Sequence, residues 1–131
     1  MRISIDTSAY SEFERSPEIL RATIEVADEV WFCPVVIGEL HAGFISGSRR
    51  LANLKRLDAF LSRPGIYVGF IDSLTAECYA AIATHLRKRG TPLPTNDIWI
   101  AAHALQHDLQ VITLDAHFLE IPQIRTRLFE R

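Results

Sequence analysis

Short apolar runs alternate with helix-forming segments along the chain, and this alternation limits the fold more than any other feature of the sequence. Strands are predicted from the alternating apolar residues at 2–5 and from the apolar runs at 30–34, 66–72 and 109–115. Helical segments separate successive runs, and such alternation is typical of a parallel sheet with helices on both faces. We therefore predict an α/β protein with a central, mainly parallel sheet, to which the C-terminal tail adds a candidate edge strand.

Helix starts are marked by capping residues and by proline. Thr7 or Ser8 is expected to cap a short helix that ends near Phe13. Ser16 followed by Pro17 is a typical start for a second helix, because proline suits the first helical position. Further helical segments are predicted at 35–47, 48–63, 74–89 and 96–107, with a short helical turn at 116–121.

Two of these helices carry details that define their faces and ends. Asp72 and Ser73 are alternative caps for the helix at 74–89, and Gly90 is a good residue to end it. In the helix at 48–63, leucines recur at helical spacing and predict a buried face. That face consists of Leu51, Leu54, Leu57 and Leu61.

Size and composition indicate a single soluble domain over residues 1–131. The 131 residues are 48% apolar and 23% charged, and no apolar run approaches the length of a membrane span. Asp6 comes too early for a secretory signal, and Cys33 and Cys78 lack metal-like spacing. We therefore expect a cytoplasmic protein with reduced thiols. The net charge of −2 gives no overall attraction to nucleic acid, but it does not exclude local basic regions.

Four carboxylates are predicted to meet at one edge of the sheet. Asp6 and Asp115 each end a predicted strand. Glu39 lies in the first turns of the helix after the second strand, and Asp97 opens the helix before the last main strand. All four positions belong to the carboxyl edge of a parallel sheet, which is where such folds bind their ligands.

Converging carboxylates repel one another and raise one another's pKa unless a cation lies between them. A divalent cation resolves this conflict, and an all-oxygen site suits Mg²⁺ or Mn²⁺. Taken singly, Asp97 is explained as a first-turn acid favoured by the helix dipole, and Asp6 and Asp115 as turn residues. Taken together, their common edge predicts a metal site.

Polar neighbours of these carboxylates are candidates for orienting them, with local capping as the alternative. They are Thr7, Ser8, Asn96 and Thr113. Two basic clusters are candidate contacts for a nucleic-acid backbone, with a solvated helix face as the alternative. They comprise Arg49, Arg50, Lys55 and Arg56 in one segment, and Arg87, Lys88 and Arg89 in the other.

His103 and His107 are four residues apart on one predicted helix, a spacing that zinc sites also use. A zinc protease would have a glutamate directly after the first histidine, where this chain has Ala104. We therefore do not assign a zinc site to this pair.

The carboxylate segments resemble the ordered motifs of PIN-domain ribonucleases, and among them the VapC-type toxins of bacterial toxin–antitoxin pairs. "IDTSAY" resembles the opening Asp-Thr-Ser motif, and "VVIGELHAG" resembles the Glu-x-x-x-Gly motif, here Glu39 and Gly43. "TNDIWIAAHAL" resembles the Asp-x-x-Ile-Ala-Ala-x-Ala motif, and "LQVITLDAHFLEIP" resembles the Thr-x-Asp segment. The resemblance covers essentially the whole chain and implies a three-layer α/β/α PIN-like fold.

This resemblance implies an endoribonuclease that depends on Mg²⁺ or Mn²⁺. Asp6 and Asp97 are then the central metal ligands, and Asp115 completes the site directly or through water. Glu39 is then a ligand through water or orients the attacking water. The resemblance also implies a homodimer and a cognate antitoxin that blocks the site.

One position departs from the family pattern. Two residues after Asp115, where many relatives have a second Asp, this chain has His117. A weak metal ligand and a phosphate contact are two interpretations of His117, and we favour a third, a polar surface residue.

Two other functions fit part of the sequence. A metal-dependent phosphatase could use Asp6 as its nucleophile, but Ser8 stands where the usual pattern has a second Asp. A PIN-like scaffold that binds RNA or a partner without cutting is the non-enzymatic alternative. The presence of all four carboxylates argues against that alternative.

Overall fold

The computed structural model describes all 131 residues and contains one sheet of five strands. The strands are β1 (Arg2–Ile5), β2 (Glu29–Phe32), β3 (Ile66–Val68), β4 (Gln110–Thr113) and β5 (Thr126–Leu128). The helices are α1 (Thr7–Arg15), α2 (Arg21–Val26), α3 (Pro34–Ser46), α4 (Arg50–Leu61), α5 (Ser73–Arg89), α6 (Thr95–His107) and a 3₁₀ helix (Ala116–Glu120). The strand order is β3-β2-β1-β4-β5, and every neighbouring pair is parallel. The predicted α/β fold and the tail strand are therefore confirmed.

The central strands β1 and β4 are buried on both faces, which is typical of a parallel sheet covered by helices and allows the apolar run at the end of β4. Each of them buries three consecutive side chains, whereas the edge strands β3 and β5 keep exposed ones. Ile5 and Ile112 are paired in register near the carboxyl ends of β1 and β4. The chain therefore leaves both strands side by side, at the edge where the predicted site lies.

The cap of α1 differs from the prediction. Neither Thr7 nor Ser8 is the N-cap, because the Asp6 carboxylate accepts the Ala9 N–H at 2.8 Å. An aspartate is as good a cap as a serine, and its extended backbone at the strand end suits the cap position. Asp6 therefore belongs both to the end of β1 and to the start of α1.

The predicted start of the second helix at Ser16 is wrong. The Ser16 N–H donates to the Glu12 carbonyl, so Ser16 ends α1. Residues 17–20 form a turn, which the Arg21 N–H closes onto the Pro17 carbonyl at 2.8 Å. The helix begins at Arg21, and its N-cap has no side-chain hydrogen bond. A good capping pair alone therefore does not fix the start of a six-residue helix.

The third strand is shorter than predicted, since it ends at Val68 instead of continuing to residue 72. The Gly69 N–H still donates to the Phe32 carbonyl at 3.0 Å, but the chain then leaves the sheet edge. We call residues 69–72 the β3–α5 connection. Asp72 is the cap of α5 and forms a capping box with Thr75, which decides between the two predicted caps.

The predicted leucine face of α4 is wrong at its first position. Leu51 is 75% exposed, whereas Leu57 and Phe60 are buried in the core. Phe60 packs edge-on against the rings of Tyr10 and Phe32, so an aromatic residue anchors this helix. The end of α5 agrees with prediction, because Gly90 caps it with a left-handed backbone at φ 72°.

Cys33 is buried, Cys78 is partly exposed, and both are free thiols, as predicted. No helix is long and apolar enough to cross a membrane.

His103 of α6 is a packing residue beneath the β3–α5 connection. Its side chain is fully buried, and neither ring nitrogen has a hydrogen-bond partner in the protein. Burial lowers the pKa of His103 to about 4, so the ring is neutral at pH 7. The ring of His107 lies edge-on to it at 4.7 Å and stacks on Trp31 at 5.0 Å. This pair packs against Trp31 of β2, between helix and sheet.

Gly69→Ala is expected to destabilise the protein by about 1–3 kcal/mol through overpacking. A Cβ at position 69 would lie 2.2 Å from His103 Nε2, and the buried ring has no space to retreat. Urea unfolding measures the effect. Gly38→Ala is the matched control, because nothing lies within 4 Å of a Cβ there and the change should stabilise α3 by about 0.5–1 kcal/mol. Equal effects of the two substitutions would contradict this packing role.

Candidate metal centre

The four predicted carboxylates all lie at the carboxyl edge of the sheet. Asp6 directly follows β1, and Asp115 follows the neighbouring strand β4 after one intervening residue. Glu39 lies in the second turn of α3, which starts directly after β2. Asp97 lies in the first turn of α6. Two strand ends and two helix starts thus contribute one carboxylate each.

Asp6 is the most buried of the four and is held by three donors. Its carboxylate accepts hydrogen bonds from Thr113 Oγ1 at 2.5 Å and from the Ala9 N–H at 2.8 Å. Ser8 Oγ lies 2.8 and 2.9 Å from the two Asp6 oxygens. Burial raises the pKa of Asp6 to about 6, although these hydrogen bonds pull it the other way. The nearby Asp115 charge adds to the rise.

Thr113 and Ser8 tie the ends of β1 and β4 together. Thr113 Oγ1 accepts the Asp115 N–H at 2.9 Å while its hydroxyl donates to Asp6. Ser8 Oγ accepts the Leu114 N–H at 3.0 Å. The same two hydroxyls therefore fix the position of one carboxylate and the backbone that carries another.

Glu39 is oriented by the two other polar neighbours singled out in the sequence. Its Oε1 accepts a hydrogen bond from Thr7 Oγ1 at 2.5 Å, and its Oε2 accepts one from Asn96 Nδ2 at 3.2 Å. Thr7 is on α1 and Asn96 is on α6. Glu39 is therefore held between the first turns of two helices, beside Asp97.

Asp97, Asp115 and His117 form a tight group. One potential ligand atom from each lies within 4.8 Å of the others. His117 Nδ1 is 3.1 Å from Asp97 Oδ2 and 3.3 Å from Asp115 Oδ1. Asp6 and Glu39 are outside this group, but the Asp115 charge acts on Asp6 and the Glu39 charge acts on Asp97. Burial raises the pKa of Asp97, the His117 hydrogen bond opposes the rise, and the Asp115 and Glu39 charges strengthen it.

The donor set fits a divalent cation. Negative charge from four side chains converges here, and the raised pKa values of Asp6 and Asp97 show that the site disfavours that charge when no cation offsets it. Mg²⁺, Mn²⁺ and similar ions bind carboxylate oxygens and, to different extents, imidazole nitrogen. Asp97, Asp115 and His117 are the closest ligand set, and Asp6 and Glu39 can complete it directly or through water.

His117 is a surface residue, in line with the interpretation favoured in the sequence, but it also faces the carboxylates. Its side chain is 51% exposed, yet its Nδ1 lies against two of the candidate metal ligands. The reason is local: the His117 N–H donates to Asp115 Oδ1 at 2.9 Å as the 3₁₀ helix begins. That turn directs the ring back over the site. A histidine two residues after a strand-ending aspartate was the available signal.

The two basic clusters are placed differently. Arg49 and Arg56 line a groove of about 330 Å³ between α1, α3 and α4, whereas Arg50 and Lys55 are exposed outside its lining. Arg15 and Glu14 also line this groove. In the second cluster, Arg87 lines a separate cavity and Lys88 is exposed. Arg89 contacts Glu120 at the end of the 3₁₀ helix, with a 3.5 Å ion pair.

A parallel α/β sheet with acidic residues at its carboxyl edge defines a class of ligand-binding and metal-binding domains. The PIN domain family matches residues 3–124. This chain belongs to the PIN domain family.

Among curated relatives, Ribonuclease VapC5 of Mycobacterium tuberculosis is 30% identical over 114 residues, which is 87% of this chain and 83% of that protein. Ribonuclease VapC4 of the same organism is 30% identical over 90 residues, 69% of each chain. The solved structure of VapBC2 from Rickettsia felis, bound to a DNA fragment from its promoter, superposes with a TM-score of 0.89 at 21% identity. That match covers 99% of this chain and all of the other, and it shows the shared fold.

Asp6→Asn is expected to stabilise the cation-free protein at pH 7.5 by about 1–3 kcal/mol. The unfolded chain releases the Asp6 proton near pH 3.8 and the folded protein near pH 6. Folding therefore takes up a proton between these values, so stability falls as pH rises from about 4 to 6 and stays reduced above it. Urea unfolding at pH 3.5 and 7.5, in chelator, measures the difference. Asp58→Asn, on the exposed face of α4, is the control. A wild-type stability that does not fall with pH relative to Asp6→Asn would contradict the burial of this charge.

Proposed function

We propose that this protein is a metal-dependent endoribonuclease and the toxin of a toxin–antitoxin pair. The observation that carries the proposal is the set Asp6, Glu39, Asp97 and Asp115 at one sheet edge, in the order of the PIN motifs. Relatives named Ribonuclease VapC, at 30% identity over most of their length, support the RNA substrate. We extend their activity to this chain because its polar groups are arranged around these carboxylates.

The proposed chemistry is hydrolysis of an RNA phosphodiester. A divalent cation, Mg²⁺ or Mn²⁺, would bind the scissile phosphate and make its bound water a better nucleophile. Asp6, Asp97 and Asp115 would hold the cation, and without it their charge would repel the substrate. Ser8 and Thr113 keep the Asp6 carboxylate in place through their hydroxyls.

Asp6 keeps lone pairs free for a cation despite its hydrogen bonds. Ser8 has one hydroxyl proton and lies against both Asp6 oxygens, so it donates to one of them at a time. Each carboxylate oxygen accepts two hydrogen bonds or ligands, so at least one position stays open on Asp6.

Glu39 is the proposed group that orients the attacking water. Thr7 and Asn96 each engage one of its oxygens, and each oxygen can accept a second partner. A water between Glu39 and the cation would then have its proton directed to a carboxylate that two helices hold in position.

The substrate backbone is proposed to contact the basic clusters. Arg49 and Arg56 present guanidinium groups to the groove beside α3, the helix that carries Glu39. Arg89 lies beside the 3₁₀ helix that carries His117, with Arg87 and Lys88 in the same last turn of α5. Arg50 and Lys55 would add charge along the outside of α4. Contacts with the phosphate backbone raise the affinity for RNA without distinguishing its base sequence.

The arrangement argues against the two rival functions. An aspartyl-phosphate enzyme needs an accessible nucleophile, and Asp6 is 4% exposed with three hydrogen-bond donors around it. A scaffold without catalysis has no need for ordered donors on both Asp6 and Glu39.

We propose two protein partners, an antitoxin and a second copy of this chain, and a cytoplasmic location that suits the free thiols. The proposal of an antitoxin is based on the similar folds found in solved toxin–antitoxin complexes, among them VapBC2. The proposal of a second copy is based on a surface beside the edge strand β3, which presents both a projecting side chain and a recess. Phe70 is 82% exposed there and itself lines a cleft of about 290 Å³, together with Trp31, Tyr67 and His107. A two-fold axis would place each Phe70 in the other copy's cleft.

Asp97→Asn is expected to lower RNA cleavage at least about 100-fold, because it removes a charge that holds the cation. Purified protein is assayed on an RNA panel with Mg²⁺, with Mn²⁺ and with EDTA. Glu77→Gln, at an exposed position on α5, should cleave like the wild type. Cleavage that survives both EDTA and Asp97→Asn would contradict the proposal. Phosphate release from small phosphoesters without RNA cleavage would favour the phosphatase, and RNA binding without cleavage would favour the scaffold.

Phe70→Ser is expected to weaken the proposed homodimer at least about tenfold, since it removes a large apolar side chain from the interface. Light scattering coupled to size exclusion, over a concentration series, measures the dissociation constant. Val26→Ser removes an apolar side chain that is 69% exposed on α2 and serves as the control. A wild-type monomer at all concentrations, or equal effects of both substitutions, would contradict this interface.

A further inference from the structure

We propose that His117 is a nitrogen ligand of the metal and gives the site a preference for Mn²⁺ over Mg²⁺. The inference rests on the proposed function, since it requires a cation between Asp97 and Asp115. It assigns a role to a histidine, which is not one of the four carboxylates and has no role in the hydrolysis proposed above.

The position of His117 Nδ1 is that of a ligand atom. It lies 3.1 Å from Asp97 Oδ2 and 3.3 Å from Asp115 Oδ1, so it faces one oxygen of each carboxylate. Two ligand atoms about 2.1 Å from one cation and at right angles to each other are about 3.0 Å apart. The three side chains therefore approach the spacing of neighbouring ligands before any cation is bound.

The backbone directs the ring toward the site. The His117 N–H donates to Asp115 Oδ1 at 2.9 Å, so residues 115 and 117 are joined by main chain and side chain. The other ring nitrogen, Nε2, makes no hydrogen bond within the protein, and the side chain is half exposed. When a cation binds, the ring would carry its proton on Nε2, and Nδ1 would offer its lone pair to the cation instead of a hydrogen bond to Asp97.

An imidazole nitrogen changes which cation the site prefers. Mg²⁺ favours oxygen ligands and gives up its waters reluctantly, so a nitrogen ligand adds little to its binding. First-row transition ions accept imidazole nitrogen more readily, and Mn²⁺ also keeps the affinity for carboxylates that the other three ligands supply. We therefore expect the ratio of the Mg²⁺ to the Mn²⁺ dissociation constant to depend on His117.

Pulsed electron paramagnetic resonance of Mn²⁺ bound to the protein tests this assignment without RNA. The wild type should show a coupling to one ¹⁴N nucleus. His117→Asp should abolish that coupling while Mn²⁺ still binds through oxygen. His85→Gln, on α5, should leave the coupling unchanged. Thermal unfolding monitors whether each variant remains folded.

Isothermal titration with Mn²⁺ and Mg²⁺ gives the second readout. His117→Asp should lower the ratio of the Mg²⁺ to the Mn²⁺ dissociation constant at least about tenfold. In the resonance experiment, His117→Asn should lose the ¹⁴N coupling as His117→Asp does. Mn²⁺ binding to the wild type without ¹⁴N coupling, or an unchanged ratio, would overturn the role of His117 alone. No Mn²⁺ binding to the wild type would overturn the proposed metal site together with this inference.

Discussion

The hydroxyl of Thr113 is the point on which the site depends, because it joins the ends of the two central strands. It donates to the Asp6 carboxylate and accepts the Asp115 N–H. Since β1 and β4 are paired in register, this one side chain fixes two carboxylates relative to the sheet. The cost is a buried charge, and burial accordingly raises the pKa of Asp6 to about 6. A cation at this edge would remove that cost, which links the stability of the fold to its proposed chemistry.

The helices α3 and α6 carry the remaining two carboxylates, Glu39 and Asp97. Asp97 lies in the first turn of α6, which follows a loop. Apolar residues further along the helix, such as Ile100 and Ala101, are buried in the core. Glu39 is oriented by Thr7 and Asn96, which stand in the first turns of α1 and α6. The rigid elements therefore carry the carboxylates, and short polar side chains between them set the orientation. His117 is held differently, by the turn that begins the 3₁₀ helix.

The sequence predicts well what burial on both faces determines, and predicts poorly what depends on a few local contacts. β4 could be assigned because a central parallel strand is mostly apolar, and β1 because Ile3 and Ile5 alternate with polar residues. The start of α2 could not, since Ser16 and Pro17 also suit a turn, and the regular helix begins only at Arg21. The end of β3 was missed because the residues after Val68 are also apolar, and the close approach of Gly69 to His103, 34 residues further along the chain, leaves no local signal. The edge that gathers the carboxylates follows from topology, whereas the direction of the His117 ring follows from a single hydrogen bond.

Anomalous diffraction from crystals grown in Mn²⁺ tests the central claim most directly, because it locates the cation independently of any assay. The account predicts a peak at the carboxyl edge of the sheet, bonded to oxygens of Asp97 and Asp115 and reaching Asp6 directly or through one water. A peak elsewhere on the surface, or none at this edge at saturating Mn²⁺, would contradict the claim that these carboxylates converge to hold a metal ion.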